Sequence, residues 1–113
     1  MLKIKASPTF MKLAKKELSE DALQSLIDEL ALDPEKGTII SGAEGIRKIR
    51  CSTGKNNRGK SAGVRVLYYY DKGAIFLLLL TLYKKSDKEN IDESEKTQLR
   101  KLLLELLMRY RHE

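Results

Sequence analysis

The sequence has little of the equipment that many enzymes and secreted proteins depend on. It contains one cysteine and one histidine in 113 residues. A single thiol, Cys51, forms no internal disulfide, which fits a reducing cytosol, and it reads as a small core residue. The one histidine, His112, lies at the tail, so neither a metal-ligand cluster nor a Cys-His or Ser-His nucleophilic pair is expected. No metal and no cofactor is therefore anticipated, and any acid–base work falls to Lys, Arg, Tyr, Asp or Glu. Long apolar runs are missing too. The longest, Ala74 to Leu80, is far short of the ~18 residues of a membrane span. The start, Met1-Leu2-Lys3-Ile4-Lys5, lacks the apolar region of a signal peptide. These features predict a cytoplasmic protein without a membrane partner. No internal repeat and no linker divides the chain, so residues 1–113 are expected to form a single domain.

A further absence is local. Between Ile46 and Arg65 there is no acidic residue, but there are seven basic ones: Arg47, Lys48, Arg50, Lys55, Arg58, Lys60 and Arg65. The whole chain carries 22 basic and 16 acidic residues, net +6. Without those seven, 15 basic residues face 16 acidic ones. The excess charge sits in one segment, as an electrostatic footprint for phosphates does. Within it, Gly54 to Ser61 matches the pattern of a phosphate-cradling P-loop, Gly, four residues, Gly-Lys-Ser. That chemistry needs a helix to begin at Lys60-Ser61. Ala62-Gly63 and then a strand pattern follow instead, so the match reads as a product of loop composition.

Leu2 to Ala6 alternates apolar and basic residues and predicts a short strand. Ser7-Pro8 caps a first helix to about Leu18, with Phe10, Leu13, Ala14 and Leu18 at helical spacing. Ser19-Glu20-Asp21 opens a second, with Leu23, Leu26, Ile27 and Leu30 as its stripe and Asp33-Pro34 as its stop. Gly37 to Ile40 is an extended connection, and Ile46 to Cys51 a strand. Residues 54–63 are a hairpin loop. Val64 to Tyr70 is a strand, Asp71-Lys72-Gly73 a tight turn, and Ala74 to Tyr83 a central strand covered on both sides. Asp92 and Glu95 form a capping box for a last helix with Leu99, Leu102, Leu103, Leu106 and Tyr110 in one stripe.

Strand alternation makes the charge concrete. If Ile49, Cys51, Val64 and Val66 face the core together, then Lys48, Arg50 and Arg65 converge on the opposite surface. Tyr83, Lys84 and Lys85 leave the adjoining strand toward the same place.

Ile46-Arg47-Lys48-Ile49-Arg50, the Gly/Lys-rich loop, Gly63-Val64-Arg65-Val66-Leu67-Tyr68-Tyr69 and Leu80-Thr81-Leu82-Tyr83-Lys84-Lys85 resemble the HigB branch of the RelE-like toxins of bacterial type II toxin–antitoxin systems. The resemblance implies a small α+β fold: a mostly antiparallel sheet with two N-terminal helices and a C-terminal helix packed on it. It implies an endoribonuclease that cuts messenger RNA in the ribosomal A site. Such toxins use the substrate's own 2′-hydroxyl and no metal. By position, Lys48, Arg50, Arg65 and Lys85 become the expected catalytic set, with Arg65 the clamp on the phosphate. Arg47, Lys55, Arg58, Lys60, Tyr69, Tyr83 and Lys84 become the expected RNA- or ribosome-binding set. The implied partners are a cognate HigA-like antitoxin, the ribosome and mRNA, with DNA reached only through the antitoxin. Two places depart from the family. Lys84-Lys85-Ser86 stands where an arginine is usual, and Asn90-Ile91-Asp92 where a catalytic tyrosine is usual. The rival readings are a non-enzymatic RNA- or ribosome-binding module and a ParE-like gyrase poison.

Overall fold

The computed structural model describes residues 2–55 and 63–111. In chain order the elements are β1 (Lys3–Ala6), α1 (Pro8–Glu17), α2 (Glu20–Leu32), β2 (Thr38–Ile39), β3 (Arg47–Cys51), β4 (Val64–Asp71), β5 (Phe76–Lys84) and α3 (Glu93–Arg111). The fold is α+β, as expected.

The helix ends follow from side-chain chemistry. Ser7 accepts a hydrogen bond from the Phe10 amide at 2.9 Å, satisfying a donor that the first turn leaves free. The same hydroxyl donates to the Leu80 carbonyl at 2.6 Å, so the cap also ties α1 to the central strand. Ser19 does the capping for α2, accepting from the Ala22 amide at 3.0 Å. At α3 the expected box is reciprocal: the Glu95 amide donates to Asp92 Oδ1 at 2.8 Å, and the Asp92 amide to Glu95 Oε1 at 3.0 Å.

The five strands form one sheet in the order β1-β5-β4-β3-β2. β1 runs parallel to β5, and every other pair is antiparallel. The two N-terminal helices carry the chain from one edge of the sheet to the other. They cover one face, where Phe10, Ala14, Leu18, Leu26 and Leu30 pack on residues such as Ile49, Val66, Tyr68, Leu77 and Leu79. The leucines of α3, Leu99, Leu103, Leu106 and Leu107, cover the other against Ile46, Leu67, Leu78 and Leu80. β5 therefore reads as a continuous apolar run because both of its faces are buried. It begins at Phe76; the expected Ala74 and Ile75 belong to the turn, where Ile75 takes a positive φ of 53°. The register slips once, with Leu67 opposite Thr81 but Tyr68 opposite Leu79. Leu80 is the extra residue, and the bulge shifts the alternation after it, so that Leu82 joins Leu77 and Leu79 in the core under α1 and α2 and Tyr83 turns to the α3 side.

The loop after α2 is locked by one buried hydroxyl. Tyr68 donates to the Pro34 carbonyl at 2.9 Å and accepts from the Gly37 amide at 2.8 Å. A Cβ on Gly37 would stand 2.7 Å from the Tyr68 ring, so only glycine fits. Burial pushes the Tyr68 hydroxyl above its ordinary value, because the phenolate is poorly solvated there. Tyr68→Phe should lower unfolding free energy by about 1–3 kcal/mol, since two backbone groups lose their partner; urea unfolding at neutral pH measures this. A raised folded pKa gives stability that is complete below the unfolded value, about 10, and lost as pH rises through the folded one. The wild type should lose that increment in alkali, and Tyr68→Phe should not.

Candidate active site

β3, β4 and β5 set three side chains in one row. Arg50 lies opposite Arg65, and Arg65 opposite Tyr83. Direct partners in an antiparallel pair point to the same face, and like charges placed so repel. Lys48 shares that face of β3, two residues from Arg50, and lies opposite Leu67. Leu67 belongs to the core under α3, so the cations continue the α3-covered face past its apolar part.

Arg65 is the unusual member. Only 8% of its surface is exposed, and its Nη1 is buried without a hydrogen-bond partner among the described residues. An arginine does not escape burial by losing its proton. Leaving such a group unmatched costs free energy, which makes Arg65 a candidate for pairing with an anionic group. Tyr83 lies against it. Burial pushes the Tyr83 hydroxyl up, while the Arg65 and Lys88 charges pull it down.

Around the row is an open pocket of about 560 Å³. Lys48, Arg50, Arg65 and Lys85 line it, with Glu29, Lys36, Gly37 and Thr38 on one side and Glu89 and Asn90 on another. Lys85 is brought in by its backbone, whose amide donates to the Gly63 carbonyl at 3.3 Å. Glu29 is already occupied: its carboxylate meets Lys36 Nζ at 2.5 Å, which holds the Lys36 ammonium above its ordinary value. Among the described residues no carboxylate forms an ion pair with Lys48, Arg50, Arg65 or Lys85. The described residues also contain no group of three or more His, Cys, Asp and Glu able to hold a metal ion. Four cations around one hollow can bind a phosphate and stabilise added negative charge on it.

The structure sets all four expected catalytic residues around one pocket, and of the expected binding set Arg47, Lys55, Tyr69 and Lys84 lie away from it. Arg47 lies on the other strand face, with Nη1 donating to the Glu35 and Gly37 carbonyls at 2.9 and 2.8 Å. Its guanidinium steadies the Tyr68-locked loop. Lys84 faces α1 and pairs with Glu17 at 3.8 Å. Lys55 donates to the Lys16 carbonyl at 2.8 Å. Tyr69 packs near Gly45, four residues along β4 from Arg65. Tyr83 stays beside the cluster, its hydroxyl donating to the Glu89 carbonyl at 3.3 Å and the Lys88 ammonium 5.3 Å from its ring centre. Arg58 and Lys60, most of the P-loop-like match and His112 lie outside the described residues. The sequence reading missed Asn90, whose Oδ1 accepts from Lys48 Nζ at 3.1 Å. A contact between residues 42 apart on a turn leaves no periodic signal.

The family model of the RelE toxin of the RelE/RelB toxin–antitoxin system matches residues 2–112. The chain belongs to the RelE toxin family. Solved structures show the same fold at low identity. A chain of the intact E. coli RelBE toxin–antitoxin complex superposes with a TM-score of 0.57 at 16% identity, over 74% of this chain and 96% of that one. Isolated E. coli RelE gives 0.56 at 15%, over 90% and 99%. A chain of the archaeal RelE–RelB complex from Pyrococcus horikoshii gives 0.53 at 17%, over 77% and 98%.

Within this RelE-type fold, Arg65 makes a sharp prediction about stability. Arg65→Met keeps the bulk and removes the unmatched charge, so its thermal midpoint should equal or exceed that of the wild type. A midpoint several degrees lower would make Arg65 a structural residue instead.

Proposed function

We propose that this RelE-family chain is a ribosome-dependent endoribonuclease that cuts messenger RNA without a metal. One observation carries the reading: a buried guanidinium whose Nη1 has no hydrogen-bond partner among the described residues, set among three more cations, two on β3 and one just after β5. The site supplies positive charge from side chains where other nucleases use ions.

In the reaction, the 2′-hydroxyl of one nucleotide attacks its own 3′-phosphorus. The new P–O bond raises the charge on the non-bridging oxygens, which Arg65 and Arg50 clamp. Arginine stays protonated, so within the set of Lys48, Arg50 and Lys85 the two lysines suit proton transfer better. A neutral lysine takes the 2′-hydroxyl proton. The P–O bond to the next nucleotide breaks, and its 5′-oxygen receives a proton from a lysine ammonium. The products are a 2′,3′-cyclic phosphate and a 5′-hydroxyl. DNA lacks the nucleophile and is not a substrate.

The open pocket supports a substrate presented by the ribosome rather than one enclosed by the protein. Lys55, with Arg58 and Lys60, is suited to the backbone of ribosomal RNA. The complexes of E. coli RelE and P. horikoshii RelE with RelB support a cognate antitoxin, HigA-like on our reading, whose acidic residues would meet the cationic face. DNA is reached through that antitoxin, and the toxin works in the cytoplasm. Among the described residues no helix is long and apolar enough to cross a membrane.

Primer extension on a defined message, with and without translating ribosomes, tests the proposal. Cuts at codon-spaced positions only with ribosomes are expected. Arg65→Ala should slow them by about 10²–10³-fold, and Arg65→Met similarly. Cuts on naked RNA alike would remove the ribosome from the mechanism. No cuts by the intact, antitoxin-free protein would leave a binding module or a gyrase poison as the better account.

A further inference from the structure

Lys48 has one side-chain hydrogen bond across the pocket, to Asn90 Oδ1 at 3.1 Å. The two residues stand on separate elements. Lys48 is on β3, which is paired on both sides, to β2 and to β4. Asn90 is an exposed residue on the turn between β5 and α3, and that turn is tied down on either side of it. The Asp87 amide donates to the Lys84 carbonyl at 3.1 Å. Tyr83 donates to the Glu89 carbonyl, and Lys88 pairs with Glu95. The box between Asp92 and Glu95 closes the segment onto α3.

We infer that Asn90 is the positioning residue for Lys48, holding its amine at the reacting phosphate through both protonation states. The inference rests on the ribonuclease reading above and adds a residue to it. The chemistry explains why the partner is an amide. A neutral carbonyl oxygen accepts from an ammonium and from a neutral amine alike, because both carry N–H donors. A carboxylate would bind the ammonium far better and resist its loss of a proton. Asparagine thus fixes where Lys48 Nζ lies without deciding its charge. The charged neighbours leave this arrangement open. Arg50, Arg65 and Lys85 face Lys48 from β3, β4 and the segment after β5. Glu29 and Lys36, on the opposite rim, satisfy each other. Glu89 flanks Asn90, Lys96 of α3 is paired with Glu93, and Tyr83 closes the adjoining hollow.

The test compares the wild type with Asn90→Ala, Asn90→Asp and Lys48→Ala in ribosome-dependent cleavage across pH, with unfolding midpoints as a check on folding. Asn90→Ala should cleave about 10- to 100-fold more slowly through misplacement of the amine. Asn90→Asp keeps an acceptor and should recover part of the rate. Its carboxylate favours the ammonium, so the limb governed by Lys48 should move to higher pH by about one unit. A purely structural asparagine would not move that limb. Superimposable profiles for the wild type and both Asn90 variants would overturn the inference and leave the ribonuclease standing. A fully active Lys48→Ala would overturn it too, with Arg65 still the clamp. If the wild type makes no cuts, the ribonuclease reading fails on its own. NMR titration of methyl-labelled lysines then decides the contact alone. Movement of the Lys48 resonance to higher pH in Asn90→Asp supports it, and an unmoved titration overturns it.

Discussion

Everything in this molecule is arranged around one uncomfortable placement. Arg65 is nearly buried, sits directly opposite Arg50, and keeps a guanidinium nitrogen without a hydrogen bond among the described residues. A sheet optimised for stability alone would carry an apolar residue there. The arrangement is tolerable because the strands around it are held so firmly elsewhere. β4 is paired along both edges, and its Val64, Val66, Leu67 and Tyr68 are fully buried. The charge is thus prepared before an anion arrives, and little needs to reorganise when one does.

The two-faced core explains where such a site can be. α1 and α2 fill one side of the sheet, and the leucines of α3 fill the other. The α3 stripe covers Leu67, Leu78 and Leu80, and the cationic row lies two residues beyond Leu67 on the same face. The turn before α3 lines one side of that hollow with Glu89 and Asn90. The Tyr68-locked loop, steadied by Arg47, supplies Gly37 and Thr38 to the opposite rim. Packing and site are therefore one construction. The interactions that hold the elements together also set the spacing of the charges.

Much of this was legible beforehand, for identifiable reasons. Helix starts at Ser7, Ser19 and Asp92 showed because capping is a local chemistry of a few adjacent residues. The convergence of Lys48, Arg50 and Arg65 showed because alternation along a strand needs no long-range information. What escaped depends on distant partners. Arg47 looks like its neighbours in the basic run, yet its guanidinium is committed to two backbone carbonyls of the loop before β2. Lys84 is adjacent to Lys85 but faces Glu17 on the other side of the sheet. Tyr69 shares the face of Arg65 yet lies too far along the strand. Asn90 was visible only as a departure from a family pattern, and its tie to Lys48 required the turn's actual path. Composition located the charge, but register and loop geometry decided which cations work together.

The central claim is that side-chain cations on this sheet drive attack by the substrate's own 2′-hydroxyl. Mass spectrometry of the cleaved message ends, from a reaction run in the presence of a chelator, tests it most directly. The account predicts a 2′,3′-cyclic phosphate on the upstream fragment and a 5′-hydroxyl on the downstream one, with chelation without effect. A 3′-hydroxyl with a 5′-phosphate, or cleavage abolished by the chelator, would contradict it.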